Sequence, residues 1–137
     1  MENIKLFIDF INENATTEKR FVVKKHKFQL FVGNILVSES GFNINQPDKW
    51  FNQKYVILFE LKTVEKFQGK GFAKYLLDQI FNYVKNDLKL NIISLIVYKD
   101  NDKALNLYIN CGFYFYVDYD NSYSLIKKLW NSPDKWA

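Results

Sequence analysis

A chain of 137 residues accommodates one hydrophobic core of ordinary depth and no second of comparable size. Hydrophobic residues at 48% and charged residues at 25% exclude a disordered tail. The 19 Lys and Arg exceed the 15 Asp and Glu by a formal +4, too small and too evenly spread for a polybasic arm, while the lone Cys111 and lone His26 exclude an internal disulfide and a Cys- or His-rich metal site. Apolar runs such as Ile92–Val97 are far shorter than the roughly 20 residues of a membrane span. The start, Met1-Glu2-Asn3-Ile4-Lys5, carries no signal-peptide pattern. The chain is therefore expected to be a single cytoplasmic domain over residues 1–137, with no membrane partner and no metal.

In chain order, Ile4, Phe7, Ile8 and Ile11 fit a helical stripe somewhat better than a strand, and Asn12 to Glu18 reads as a polar loop. Phe21–Lys25 and Phe28–Val32 are strand material, Gly33-Asn34 supplies a hairpin turn, and Ile35–Ile44 is the return strand, broken by Gln46-Pro47-Asp48. Tyr55–Leu61, rich in β-branched and aromatic residues, predicts a strand that runs toward the glycines of Gln68-Gly69-Lys70-Gly71. Phe72, Leu76, Ile80 and Val84, with Ala73, Leu77 and Tyr83 widening the stripe, predict an amphipathic helix. Asn91–Tyr98 is nearly continuous apolar sequence, the pattern of a strand covered on both faces. Asp100 or Asn101 then caps a short helix whose inner face holds Ala104, Leu107, Tyr108 and Cys111, and Gly112 ends it. Phe113–Tyr119 and Ser122–Leu129 close the chain as two strands.

Strand, glycine turn, helix and buried strand make a βαβ unit, and Gln68-Gly69-Lys70-Gly71-Phe72-Ala73 stands where its helix begins. The first turn of a helix has unpaired N–H groups and partial positive charge, so glycines there let a phosphate approach. Lys66, Lys70 and Lys74 add charge around it. The Gly-Lys-Ser/Thr ending of a P-loop is missing, and Lys74 stands where a dinucleotide fingerprint needs its third glycine.

Gln68-x-x-Gly71-x-Ala73 resembles the Q/R-x-x-G-x-G/A pyrophosphate loop of the GNAT acyltransferase superfamily. Asn101-x-x-Ala104-x-x-x-Tyr108-x-x-x-Gly112-Phe113 resembles the second signature of that family. The likeness covers residues 55–129, slightly over half the chain. It implies an α/β fold of the α+β kind, with a mixed, mainly antiparallel sheet of six to seven strands flanked by helices. It also implies acetyl-CoA as cosubstrate and transfer of its acetyl group to a primary amine by direct attack in a ternary complex. By the same resemblance, Gln68, Gly69, Lys70, Gly71, Phe72 and Ala73 hold the pyrophosphate. The pantetheine arm pairs with the backbone near Thr63 and Val64, and Asn101 touches the donor. Tyr108 matches the family's general acid, a phenol that stays protonated at neutral pH and meets the departing thiolate. Glu60 is the best placed carboxylate for a base. His26 is read as a surface or core residue and Cys111 as a small packed one.

Two departures stand out. Glu65 replaces the proline common before the glycine loop, and the roughly 10–15 residues between the first apolar segment and the hairpin are too few for the two helices that usually wall the acceptor pocket, so the acceptor side is expected to be shortened or rearranged. Phe42, Trp50, Phe51 and Tyr119 are candidates to line an open acceptor groove, or else core. The acceptor is a small molecule or a protein, with nothing in the sequence selecting between them, and a homodimer fits the reading. A non-catalytic acyl-CoA sensor or partner-binding module of the same fold is the alternative function. Nucleic-acid binding has only the basic balance and the aromatics behind it and is disfavoured.

Overall fold

The computed structural model describes residues 19–130. The expected first segment, with its helical stripe, lies outside them. Strands β1 (Lys19–Val23), β2 (Lys27–Val32) and β3 (Ile35–Asn45) come first, then β4 (Tyr55–Thr63), a 3-10 turn (Glu65–Phe67) and helix α1 (Phe72–Asn86). After α1 follow β5 (Ile92–Tyr98), helix α2 (Asp102–Asn110), β6 (Tyr114–Asp118) and β7 (Ser122–Lys128). The strands form one seven-stranded sheet in the order β1-β2-β3-β4-β5-β7-β6. β4 and β5 run parallel, as a βαβ crossover requires, whereas β1–β2, β2–β3, β5–β7 and β6–β7 are antiparallel. This is the mixed α/β architecture expected from the sequence.

The local reasons follow residue by residue. Gly33 adopts φ +59° between the paired Val32 and Ile35, the left-handed turn that a two-residue hairpin demands. β1 ends at Val23, two residues before the apolar pattern indicates, because Lys24 to Lys27 form the turn, closed by the Lys24 N–H on the Lys27 carbonyl at 2.8 Å. In α1 the predicted stripe is the buried one: Leu76, Leu77, Ile80 and Val84 are fully inaccessible to solvent.

The described residues divide into two compact units, one made of those up to Phe42 together with Glu60–Gln79, the other of Asn43–Phe59 together with those from Ile80 onward. In the first unit Phe28, Leu30 and Val37 are fully buried, and Phe28 stacks on Phe42 with ring centroids 4.0 Å apart. In the second, Phe51, Tyr55, Ile92 and Ile126 form a buried cluster with Ile57 and Trp130 against it. Burying a large apolar side chain of this kind contributes about 1.5–3 kcal/mol. No helix of the described residues is long and apolar enough to cross a membrane.

Candidate active site

In the first unit, the turn before α1 carries two left-handed glycines, Gly69 at φ +77° and Gly71 at φ +82°. Both face open space, with nothing within 4 Å of where a β-carbon would stand. Gly71 accepts the Tyr75 N–H at 3.0 Å, the first hydrogen bond of the helix ladder. The N–H groups of Phe72, Ala73 and Lys74 therefore precede the ladder, and Gly71 has no side chain with which to cap them. No acidic residue stands in the first turn. Lys70 and Lys74 are exposed on either side, and Lys74 also reaches Asp78 one turn on at 3.7 Å. The result is a donor-rich, acid-free helix start open to solvent, suited to an anion.

The end of β4 is pinned by its neighbour β3. The Ser38 hydroxyl donates to the Lys62 carbonyl at 3.1 Å, so the Thr63 hydroxyl is left to donate to Ser38 Oγ across 3.0 Å. The Thr63 carbonyl accepts Gln68 Nε2 at 3.1 Å, tying the glycine turn back to the strand. The Val64 N–H donates to the Val37 carbonyl at 2.9 Å, so Val64 presents an exposed side chain but an amide already paired. Sequence reasoning did not reach Ser38 or Val37, because strand partners 24 or more residues away leave no local signal.

Glu60 is exposed and adopts φ +53°, a left-handed conformation that costs a non-glycine residue about 1–2 kcal/mol. It breaks the alternation of β4, so that Phe59 and Glu60 are both exposed in succession. A carboxylate in mid-strand is thereby turned out of the pleat.

In the second unit, β5 pairs with β7 along all seven residues, but its register with β4 runs only from Val56↔Ile93 to Leu58↔Leu95. Ile96 and Tyr98, further along β5, are about two thirds exposed despite sitting in an otherwise buried strand. Asn101 follows as the N-cap of α2, its Oδ1 accepting the Ala104 N–H at 3.2 Å, which leaves its Nδ2 amide as a donor. Tyr108 lies on the buried face of α2, its ring edge-on to Phe113 at 5.6 Å. Burial, with a smaller contribution from Cys111 beside it, pushes the phenol up to about 12. It is thus a proton donor throughout the neutral range. Gly112 ends α2 at φ +95°, and a β-carbon there would meet Lys127 Nζ at 2.5 Å.

His26 is exposed in the β1–β2 turn, and Cys111 is half-buried at the end of α2. Of the aromatic groove candidates, Phe42 and Phe51 are core, while Trp50 and Tyr119 are about 40% exposed. No cluster of metal-ligating side chains occurs among the described residues.

The family model for the acetyltransferase (GNAT) family matches residues 4–113, and the chain belongs to that family. Over 109 residues it is 31% identical to the spermidine N(1)-acetyltransferase of Vibrio cholerae, a match covering 80% of this chain and 56% of that protein. The chain thus spans little more than half the length of that curated relative. Among solved structures, the N-acetyltransferase PseH of Campylobacter jejuni in complex with acetyl coenzyme A superimposes with a TM-score of 0.61 at 22% identity, over 92% of this chain and 79% of that one. A protein from Pyrococcus horikoshii does so with a TM-score of 0.65 at 23% identity, over 89% and 71%. At these identities the structural likeness establishes the fold.

Proposed function

We propose that residues 1–137 act as one acyl-CoA-dependent N-acetyltransferase domain that moves the acetyl group of acetyl-CoA to a primary amine. The observation that carries this reading is the start of α1, where left-handed Gly69 and Gly71 clear the approach to the helix N–H groups and Gly71 has no side chain to cap them. Gln68 to Ala73 hold the donor's diphosphate there, with Lys70 and Lys74 adding charge. Thr63 and Val64 meet the pantetheine arm, Val64 through its side chain because its N–H is paired. Asn101 donates from Nδ2, its Oδ1 being committed to the helix cap.

In the transfer, the neutral amine attacks the thioester carbon, the C–N bond forms and the C–S bond breaks. The amine's proton leaves to Glu60 or through water, and the Tyr108 phenol gives its proton to the departing sulfur and is reprotonated from water. A phenol raised by burial keeps its proton throughout the neutral range, so it is present to donate as charge develops on the sulfur. The V. cholerae relative is named for spermidine, and a polyamine is accordingly the first acceptor to try. The reading places the chain in the cytoplasm, where acetyl-CoA is available.

Thiol release from acetyl-CoA, followed colorimetrically over a panel of polyamines, amino acids and lysine peptides, tests the activity. Amine-dependent release supports it. Saturable acetyl-CoA binding with no release over the whole panel would instead leave an acyl-CoA-binding module.

A further inference from the structure

The peptide that joins Thr63 to Val64 is gripped at both of its polar atoms. Its N–H donates to the Val37 carbonyl of β3 at 2.9 Å, and its C=O accepts Gln68 Nε2 at 3.1 Å. A peptide is one rigid plane, so holding both of these atoms fixes its orientation. The residue before it is held as well, since the Ser38 hydroxyl donates to the Lys62 carbonyl at 3.1 Å and accepts the Thr63 hydroxyl across 3.0 Å. Val37 and Ser38 are at most 1% exposed, so the anchor for all four bonds on the strand side is the interior of the first unit.

From this plane the chain reaches the glycine turn in one short step. The Phe67 N–H donates to the Val64 carbonyl at 2.8 Å, the Gln68 N–H donates to the Glu65 carbonyl at 3.2 Å, and the Phe67 side chain is buried. Beyond Gln68 the backbone loses restraint, because Gly69 and Gly71 have no β-carbon to narrow their left-handed wells. The Gln68 side chain is the last tie before that freedom begins. It reaches back over the whole 3-10 turn, five residues, to the strand.

That tie gives the Gln68 amide a direction. Nε2 is aimed at the Thr63 carbonyl, and the same carbonyl belongs to the plane that Val37 holds from the other side. We propose that Gln68 and Ser38 are positioning residues: acting through the Thr63–Val64 peptide, they set the glycine turn at a fixed spacing from the end of β4. The proposal rests on the reading above, in which the turn takes the donor's diphosphate and the end of β4 meets its pantetheine arm. A ligand that engages two linked sites binds well only where their spacing lets it reach both, so acetyl-CoA senses this spacing directly.

The test is a double-mutant cycle on the full chain, read by calorimetric titration with acetyl-CoA. Gln68→Met keeps the length of the side chain and loses the donor; Ser38→Ala removes a buried hydroxyl that has no route to a diphosphate. Each should weaken acetyl-CoA about tenfold, and the double variant should lie within about threefold of the weaker single variant, because both loosen one peptide; independent sites would instead multiply to about a hundredfold. Gln68→Arg again offers N–H groups to the Thr63 carbonyl and should bind within about threefold of the wild type. The two Gln68 variants lie at an exposed position and decide the case even if Ser38→Ala unfolds. Wild-type affinity in Gln68→Met, losses that multiply in the double variant, or a Gln68→Arg as weak as Gln68→Met would overturn the proposal. A wild type that binds no acetyl-CoA at millimolar concentration would overturn the reading beneath it as well.

Discussion

The two helices begin in opposite ways. α1 follows two left-handed glycines, the nearer of which has no side chain to cap it, and carries no acidic residue in its first turn, whereas α2 is closed by the Asn101 side chain on Ala104 and carries Asp102 in its first turn. Both starts have the same unpaired N–H groups and the same partial positive charge. The Asn101 side chain satisfies one of those of α2 from within, whereas Gly71, the residue before α1, has no side chain to do the same. A helix preceded by glycine forgoes the cap that a Ser or Asp there would supply, and in the proposed function a diphosphate takes its place.

That contrast breaks most sharply at Gly71. Gly71→Val puts a β-branched side chain into the open approach and strains φ +82°, so acetyl-CoA affinity should fall at least about a hundredfold by calorimetry. Far-UV circular dichroism separates this from unfolding, and undiminished affinity would return the turn to mere punctuation. Tyr108→Phe, on the capped helix, should leave donor affinity within about twofold but lower kcat about tenfold or more, as loss of a positioned acid does. Unchanged kcat would remove Tyr108 from the chemistry.

The pH dependence sharpens the same assignment. Because the folded phenol sits at about 12, above its ordinary value near 10, the stability it supports is fully present below pH 10 and declines as pH rises from there through about 12. Its ionisation therefore contributes no alkaline fall in kcat between pH 7 and 10; a limb in that window that vanishes in Tyr108→Phe would contradict the burial argument. The smallest effect is at the other helix start. Asn101→Ala should cost about 1 kcal/mol of stability in urea titration through loss of the cap, with a lesser change in donor affinity than at Gly71.

Much of this was legible in the sequence because it is local. The spacing of Phe72, Leu76, Ile80 and Val84 gave α1, the buried run gave β5, and Gly33 and Gly112 marked turns whose geometry the backbone confirms. What was not legible depends on partners far along the chain. Nothing in Tyr55–Thr63 announces that Glu60 turns left-handed, since glutamate is a poor residue for that conformation and only the surrounding sheet imposes it. The pairing of the Val64 amide with Val37, and the Ser38 contacts that hold Lys62 and Thr63, arise from strand neighbours that no period reveals.

The most direct measurement is a two-dimensional amide NMR titration of the labelled protein with acetyl-CoA. Large shifts of the Gly69, Lys70, Gly71, Phe72 and Ala73 amides, saturating with the calorimetric isotherm, are the expected result. Saturable binding that leaves those five amides unmoved, or no binding at millimolar acetyl-CoA, would contradict the account.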